Sequence, residues 1–198
     1  MAQIKSALEL ALENTADIVG DKAAIKRKEL EEQGRRLASK FLFDPETTSD
    51  ELAKALKETK KEDRGPVKTS TIEVLLSNIT LPREEVDEEL LKRIEEGIAV
   101  VTGEKKQATN TLDQLTQFFQ QYLQNREQIL DHLKRQYQPQ LDAKQEALSR
   151  QYGQKVALQP EQDPDFMQLL NRNIGRLEEQ YQQALDQAKG EIRELLKL

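Results

Sequence analysis

The sequence predicts an all-α protein in which a long antiparallel helical hairpin, resembling a coiled coil, follows a smaller helical part. Hydrophobic residues make up 36% of the 198 residues and charged residues 33%. So little apolar material cannot fill a wide core, but it can fill narrow seams between helices, where only about two positions in seven are apolar. Apolar residues also recur at intervals of three and four over long stretches, which is the spacing of one helix face.

The smaller part is predicted to span residues 1–104 and to begin with a long helix. An apolar stripe runs through residues 4–19, and Gly20 is expected to break or kink the helix. A second helical stretch covers residues 25–42 and ends before Pro45, because proline disfavours the helical conformation in the residue that precedes it.

Three further segments complete this part. Residues 48–50 offer N-cap side chains for a short helix. Residues 59–66 contain no large apolar side chain and end in Gly-Pro, so we expect a mobile linker there. The apolar run over residues 72–79 permits a strand, but its spacing favours a buried helix. The next helix is predicted to start near Pro82, with several acids in its first turns, and to end near Gly103.

Glutamine marks the second part, predicted to span residues 105–198. Residues 1–106 hold only Gln3 and Gln33, whereas the other 20 glutamines lie between Gln107 and Gln187. Glutamine is a good helix former without charge. A long helix coated with such side chains is typical of a spacer or a docking surface, and it is poor material for a catalytic pocket.

Two seams predict the hairpin within this second part. The first seam has heptad spacing and consists of Leu112, Leu115, Phe119, Tyr122, Arg126, Ile129 and Leu133. Beyond it the intervals lengthen to eleven residues, and Pro139 is expected to kink or split the helix. Residues 153–164 form a short connection, which makes the flanking helices antiparallel neighbours. The second seam consists of Leu170, Leu177, Tyr181, Ala184, Ala188 and Leu195.

Composition excludes several classes of function. The chain has no cysteine, so it has neither disulfides nor thiolate chemistry. Its net charge of -6 lacks the positive excess on which nucleic-acid binding normally depends. No window approaches the roughly 18 apolar residues of a membrane span. No secretory signal is recognisable at the N-terminus, and a cytoplasmic location is therefore expected.

The residues needed for catalysis are also missing. His132 is the only histidine, and it does not belong to a metal-binding helix motif. No serine elbow or phosphate loop is present, and the paired carboxylates are those expected by chance in an acidic helical chain. We therefore expect a protein that is not an enzyme and holds no cofactor and no metal. An enzyme with a carboxylate-only metal site inside a helical bundle is the least favoured alternative.

Three residues of the hairpin are candidates for contact with a partner. Arg126 occupies a core position, where its stem packs while its guanidinium reaches water, or where it sets register or partner choice. Phe118 lies beside the core position of Phe119 and is free to meet a third helix or a separate protein. Ile129 belongs to the same stretch.

The runs from Ile4 to Glu13 and from Gly34 to Leu42 resemble a bacterial family of helical proteins of unknown function. The resemblance implies a bacterial, cytoplasmic protein, and it brings no activity and no site residue with it.

The function that follows from these observations is non-enzymatic protein–protein interaction, as a scaffold or an adaptor for a partner that the sequence does not identify. Self-association through the hairpin is a further expectation. The alternative is a helical chaperone or regulator that binds an amphipathic helix of a client protein. That alternative predicts an exposed apolar groove around Phe118 and Ile129.

Overall fold

The computed structural model describes the backbone of residues 7–195 and the side chains of residues 22–194. Over these residues the chain is all-α, as predicted, and no strand is formed. The helices are α1 (Ala7–Phe43), α2 (Ser49–Glu58), α3 (Arg64–Ser77), α4 (Glu88–Thr102), α5 (Lys105–Tyr152) and α6 (Pro164–Leu195), with a short 3-10 helix at Pro160–Gln162.

The chain divides into two compact units. The first unit contains residues 1–79 and 89–112, and the second contains residues 80–88 and 113–198. The predicted domain boundary, between residues 104 and 105, stays a prediction. Each unit is described by itself below.

In the first unit, α1 packs mainly on α3 and also on α2. Helix α1 is continuous through Gly20, so the predicted break at that glycine is wrong. Thr48 caps α2 as expected, because its hydroxyl accepts from the amide of Glu51 at 3.3 Å. The core consists of Ala38, Phe41, Leu42, Leu52, Leu56, Val67, Ile72, Leu75, Leu76, Ile79, Leu91, Ile94, Ile98, Val101, Ala108 and Leu112.

The backbones of α1 and α3 lie very close together at Gly34. A Cβ atom at this position would lie 2.1 Å from Ser70 Oγ and 2.3 Å from the carbonyl oxygen of Val67. The hydroxyl of Thr71 donates to the carbonyl oxygens of Val67 at 2.7 Å and Gly34 at 3.3 Å. Only glycine allows the two backbones to come this close.

The connection between α2 and α3 is shorter than the linker predicted over residues 59–66, and its mobility stays a prediction. Helix α3 already begins at Arg64, and Thr59 is buried. The Arg64 guanidinium donates to the carbonyl oxygen of Thr59 at 2.8 Å, and Lys26 of α1 pairs with Asp63 at 2.7 Å. These polar contacts tie a segment without large apolar side chains to its own helix α3 and to α1. The strand alternative for residues 72–79 is excluded, because α3 runs to Ser77.

In the second unit, α5 and α6 form the predicted antiparallel hairpin. The rings of Phe118 and Tyr181 lie 4.9 Å apart, and those of Tyr137 and Phe166 lie 5.4 Å apart. Later positions on α5 therefore meet earlier positions on α6. Pro139 does not split α5. Its side chain is exposed, so the carbonyl that loses its helical hydrogen bond can be hydrated.

The seam of α6 differs from the predicted one. Leu185 is buried and Ala184 is exposed, so the assignment of Ala184 to the seam is wrong. The half-buried or buried positions Leu170, Tyr181 and Ile192 are eleven residues apart, close to three full turns, which keeps them on one side of a nearly straight helix. The side chain of Leu195 lies outside the described residues.

A polar clasp closes the connected end of the hairpin. The Asp163 carboxylate is only 3% exposed. It accepts hydrogen bonds from Lys144 Nζ at 2.7 and 2.9 Å, from the Tyr137 hydroxyl at 2.8 Å and from the amide of Asp165 at 3.0 Å. The Lys144 ammonium lowers the pKa of the Asp163 carboxyl, and burial opposes this effect. The clasp covers a cluster of Leu133, Tyr137, Leu141 and Phe166.

Candidate interaction groove

A strap of irregular backbone, residues 80–87, belongs to the same unit as the hairpin. The sequence placed the start of a helix near Pro82, but α4 begins only at Glu88. Leu81 and Pro82 are half-buried, and the carbonyl oxygen of Arg83 accepts a hydrogen bond from the side chain of Arg126. The irregular backbone therefore leaves the Arg83 carbonyl oxygen available to the side chain of Arg126 on the hairpin.

Arg126 holds the strap against α5. Its Nη1 atom donates to the Arg83 carbonyl oxygen, and its guanidinium carbon lies 5.9 Å from the centre of the Tyr122 ring. The guanidinium of Arg126 is thus used inside the same unit, and both interpretations of Arg126 offered by the sequence stay predictions. The pKa of Tyr122 is raised, chiefly by burial and then by the carboxylate of Glu178, whereas Arg126 lowers it.

A mainly polar cleft of about 730 Å³ lies on one side of this contact. Its walls are strap residues 80–84, Tyr122 and Arg126 of α5, and Glu178, Glu179 and Gln182 of α6. Tyr122 donates from its hydroxyl to Glu178 at 3.4 Å. The cleft thus carries arginine and glutamate side chains together and does not concentrate charge of one sign.

A second depression, which we call the groove, has a volume of about 480 Å³ and an apolar floor. Leu123 and Leu130 of α5 and Leu170 and Ile174 of α6 line it, and all four are half-buried. Polar and charged side chains border it, namely Arg83, Glu84, Gln124, Arg126 and Glu127.

The composition of the groove is suited to binding an apolar side chain. Its floor can remove water from an apolar side chain, and its border can pair with charges of either sign. No nucleophilic serine, threonine or histidine lines it. Among the described residues, His132 is exposed, and no group of three or more His, Asp or Glu residues is placed to hold a metal ion.

Of the three residues proposed from the sequence, only Arg126 borders the groove. Phe118 is half-buried and packs against Tyr181 of α6, so within the described structure it meets the second helix of its own hairpin. Ile129 packs on the cluster beneath the clasp. Neither Phe118 nor Ile129 lines the groove described here, so the apolar groove predicted around them stays a prediction.

Sequence reasoning missed the groove because it followed only the seam. Leu123 and Leu130 are seven residues apart and flank the seam, and Ile174 is an apolar residue left out of the predicted α6 seam. Apolar residues beyond those that a two-helix seam needs were the available signal. The position of Arg83 had no such signal, because the strap residues were assigned to a helix.

Within the described part of the chain, no helix combines the length and hydrophobicity needed to cross a membrane.

Comparison with known proteins gives one match. The chain matches DUF6657, described as a family of unknown function, over residues 53–194. That stretch includes α5, nearly all of α6 and the strap. The resemblance drawn from residues 4–13 and 34–42 also pointed to a family of unknown function, but the match lies elsewhere in the chain. No curated protein and no solved structure matches.

Proposed function

This chain belongs to DUF6657, a family of unknown function, and we propose that it is a non-enzymatic protein-interaction protein, a scaffold or an adaptor. The groove is its docking surface, and the occupant is an amphipathic helix of another protein. The observation that carries the proposal is the apolar floor of Leu123, Leu130, Leu170 and Ile174, which is half-buried and bordered by charged side chains.

The shape of the floor supports a helix as the occupant. A groove between two antiparallel helices can receive a third helix, as in other helix-in-groove complexes. Leu123 and Leu130 are separated by two turns, whereas Leu170 and Ile174 are separated by about one turn. A partner helix with apolar residues at positions i, i+3 or i+4, and i+7 matches these intervals.

The border of the groove supports an orientation for that helix. The side chain of Arg83 is exposed where the strap meets the groove, and Glu127 lies on α5. Charges of both signs at the edge favour one direction of the partner helix over the other. We expect the partner to carry an acidic residue near Arg83.

The alternative is a helical chaperone or regulator, which would use the same groove to bind an amphipathic helix of a client protein. A cytoplasmic location and association of two copies through the hairpin remain expectations that accompany the proposal.

The test is capture of partners from the native host by three forms of the tagged full-length chain. The groove variant carries Leu123→Gln and Ile174→Gln. The matched control carries Phe43→Gln and Tyr152→Gln, which remove two exposed large apolar side chains outside the groove. We expect proteins captured by the wild-type chain and the control to be lost with the groove variant, and a peptide from the captured helix to bind the variant at least about tenfold more weakly.

The proposal fails if the groove variant, with an unchanged circular dichroism spectrum, captures the same proteins as the wild-type chain. It also fails if the captured region is not helical.

A further inference from the structure

Part of α1 is exposed on every side. The eight consecutive side chains from Lys22 to Glu29 are all exposed, and Ile25 keeps 57% of its surface accessible. Eight residues make more than two turns, so these positions cover the whole circumference of the helix. A helix with so little buried surface is marginal in water unless it packs on something else.

Charge is segregated along the same helix. In the sequence, residues 9–21 contain four acids and no lysine or arginine, whereas residues 22–28 contain four bases and no acid. The side chains before Lys22 lie outside the described residues, so only the order of their charges in the sequence is used here. Lys26 already pairs with Asp63 and Arg27 with Glu31, whereas Lys22 and Lys28 are exposed basic residues.

Like charges recur in this part of the sequence at intervals of four residues. They are Glu9 and Glu13, Asp17 and Asp21, and Lys22 and Lys26. Like-charged pairs at this spacing oppose helix formation. An opposite charge on a neighbouring helix would relieve them.

We propose that the first part of α1 pairs in antiparallel orientation with the same helix of a second copy of this chain. In that orientation the acidic segment of each helix lies beside the basic segment of the other, and the contact is self-complementary, as a two-fold interface requires. A parallel pair would place acid beside acid and base beside base. Ala11, Ile18 and Ile25 recur every seven residues in the sequence, which is the repeat of a helix–helix seam.

This pairing involves α1 and no residue of the groove, so it does not depend on the proposed function. Its test uses sedimentation equilibrium of four full-length chains. Lys22→Glu with Lys28→Glu makes the paired region predominantly acidic, and Glu13→Lys with Asp17→Lys makes it predominantly basic. Arg36→Glu with Lys40→Glu is the control, because it makes the same change of charge at exposed positions further along α1.

We expect the wild-type chain and the control to form dimers of similar affinity. Each of the other two variants should dissociate at least about tenfold more readily, because like charges then face each other. An equimolar mixture of those two variants should form a mixed dimer. A monomeric wild-type chain, or a mixture that stays monomeric, overturns the proposal.

Orientation is tested by a spin label at Arg36→Cys in the otherwise cysteine-free chain. An antiparallel pair centred near residue 20 places the two labels about 50 Å apart, at roughly 1.5 Å per residue. A distance below about 20 Å would show a parallel pair and overturn the proposal.

Discussion

The buried carboxylate of Asp163 accepts four hydrogen bonds, two on each of its oxygens. We expect Asp163→Asn to lower the unfolding temperature clearly more than Asp165→Asn does, because an amide cannot accept from Lys144, Tyr137 and the backbone together. Asp165 also pairs with Lys144, but it is exposed, which makes it the matched control. Thermal unfolding followed by circular dichroism measures both, and equal losses would show that the clasp does not stabilise the hairpin.

The clasp should also give the protein a defined pH dependence. The pKa of Asp163 lies below its ordinary value of 3.8, chiefly because of Lys144. Its stabilising effect is therefore complete above that value and is lost as the pH falls through the lowered pKa. The pKa of Lys144 is raised above 10.5 by Asp163, then Asp165 and Tyr137, so its effect is complete below 10.5 and is lost as the pH rises through the raised pKa.

Urea unfolding of the wild-type chain and the Asp163→Asn variant tests this window. The difference in their free energies of unfolding should be constant between about pH 5 and pH 9 and should shrink below about pH 3. A difference that is as large at pH 2 as at pH 7 would mean that the carboxylate charge of Asp163 is not what the clasp uses.

Alanine at Gly34 and alanine at Gly175 are expected to change the free energy of unfolding in opposite directions. Gly34→Ala should destabilise the first unit by about 1–3 kcal/mol, because the new methyl group would collide with Ser70 and the backbone of Val67. Gly175→Ala should stabilise α6 by roughly 0.5–1 kcal/mol, because no atom lies within 4 Å of the added carbon. Denaturant unfolding compares them, and effects of the same sign would contradict the close crossing of α1 and α3.

At the scale of elements, the position of the strap depends on the side chain of Arg126. Arg126→Met retains much of the apolar stem and removes the donor to Arg83, and Arg135→Met makes the same change at an exposed position of α5. A hydrogen bond from a charged group contributes roughly 1.5–3 kcal/mol. Hydrogen exchange over residues 80–87 should therefore become about tenfold faster or more in the first variant only. Equal exchange in both would show that Arg126 does not hold the strap.

The helices themselves were largely predictable, because apolar spacing and capping are local signals. The N-cap at Thr48 and the antiparallel hairpin are confirmed. The continuity of α1 through Gly20 and of α5 through Pro139 was not predictable, since a single glycine or proline costs less than the interactions of the rest of a long helix gain. Ala184 was wrongly assigned to the α6 seam because the heptad spacing of α5 was extended to a helix with eleven-residue spacing.

At the scale of the whole molecule, the candidate site depended on contacts that are distant in sequence. Arg126 stood out in the sequence because an arginine occupied a core position, but its partner, the carbonyl oxygen of Arg83, is 43 residues away. No local pattern marks such a contact. Predicting the groove would also have required the register between α5 and α6. That register determines which apolar residues beside the seam become neighbours.

The central claim is that the groove binds a helix of another protein, and site-specific photo-crosslinking in the native host tests it most directly. A benzophenone side chain replaces Gln124 at the border of the groove, and in a separate chain it replaces Gln136, which is exposed on α5. We predict that only the label at position 124 forms an adduct, that the linked peptide belongs to an amphipathic helix, and that Leu123→Gln with Ile174→Gln abolishes it. Equal adducts from both positions, or an adduct that persists in that groove variant, would contradict the claim.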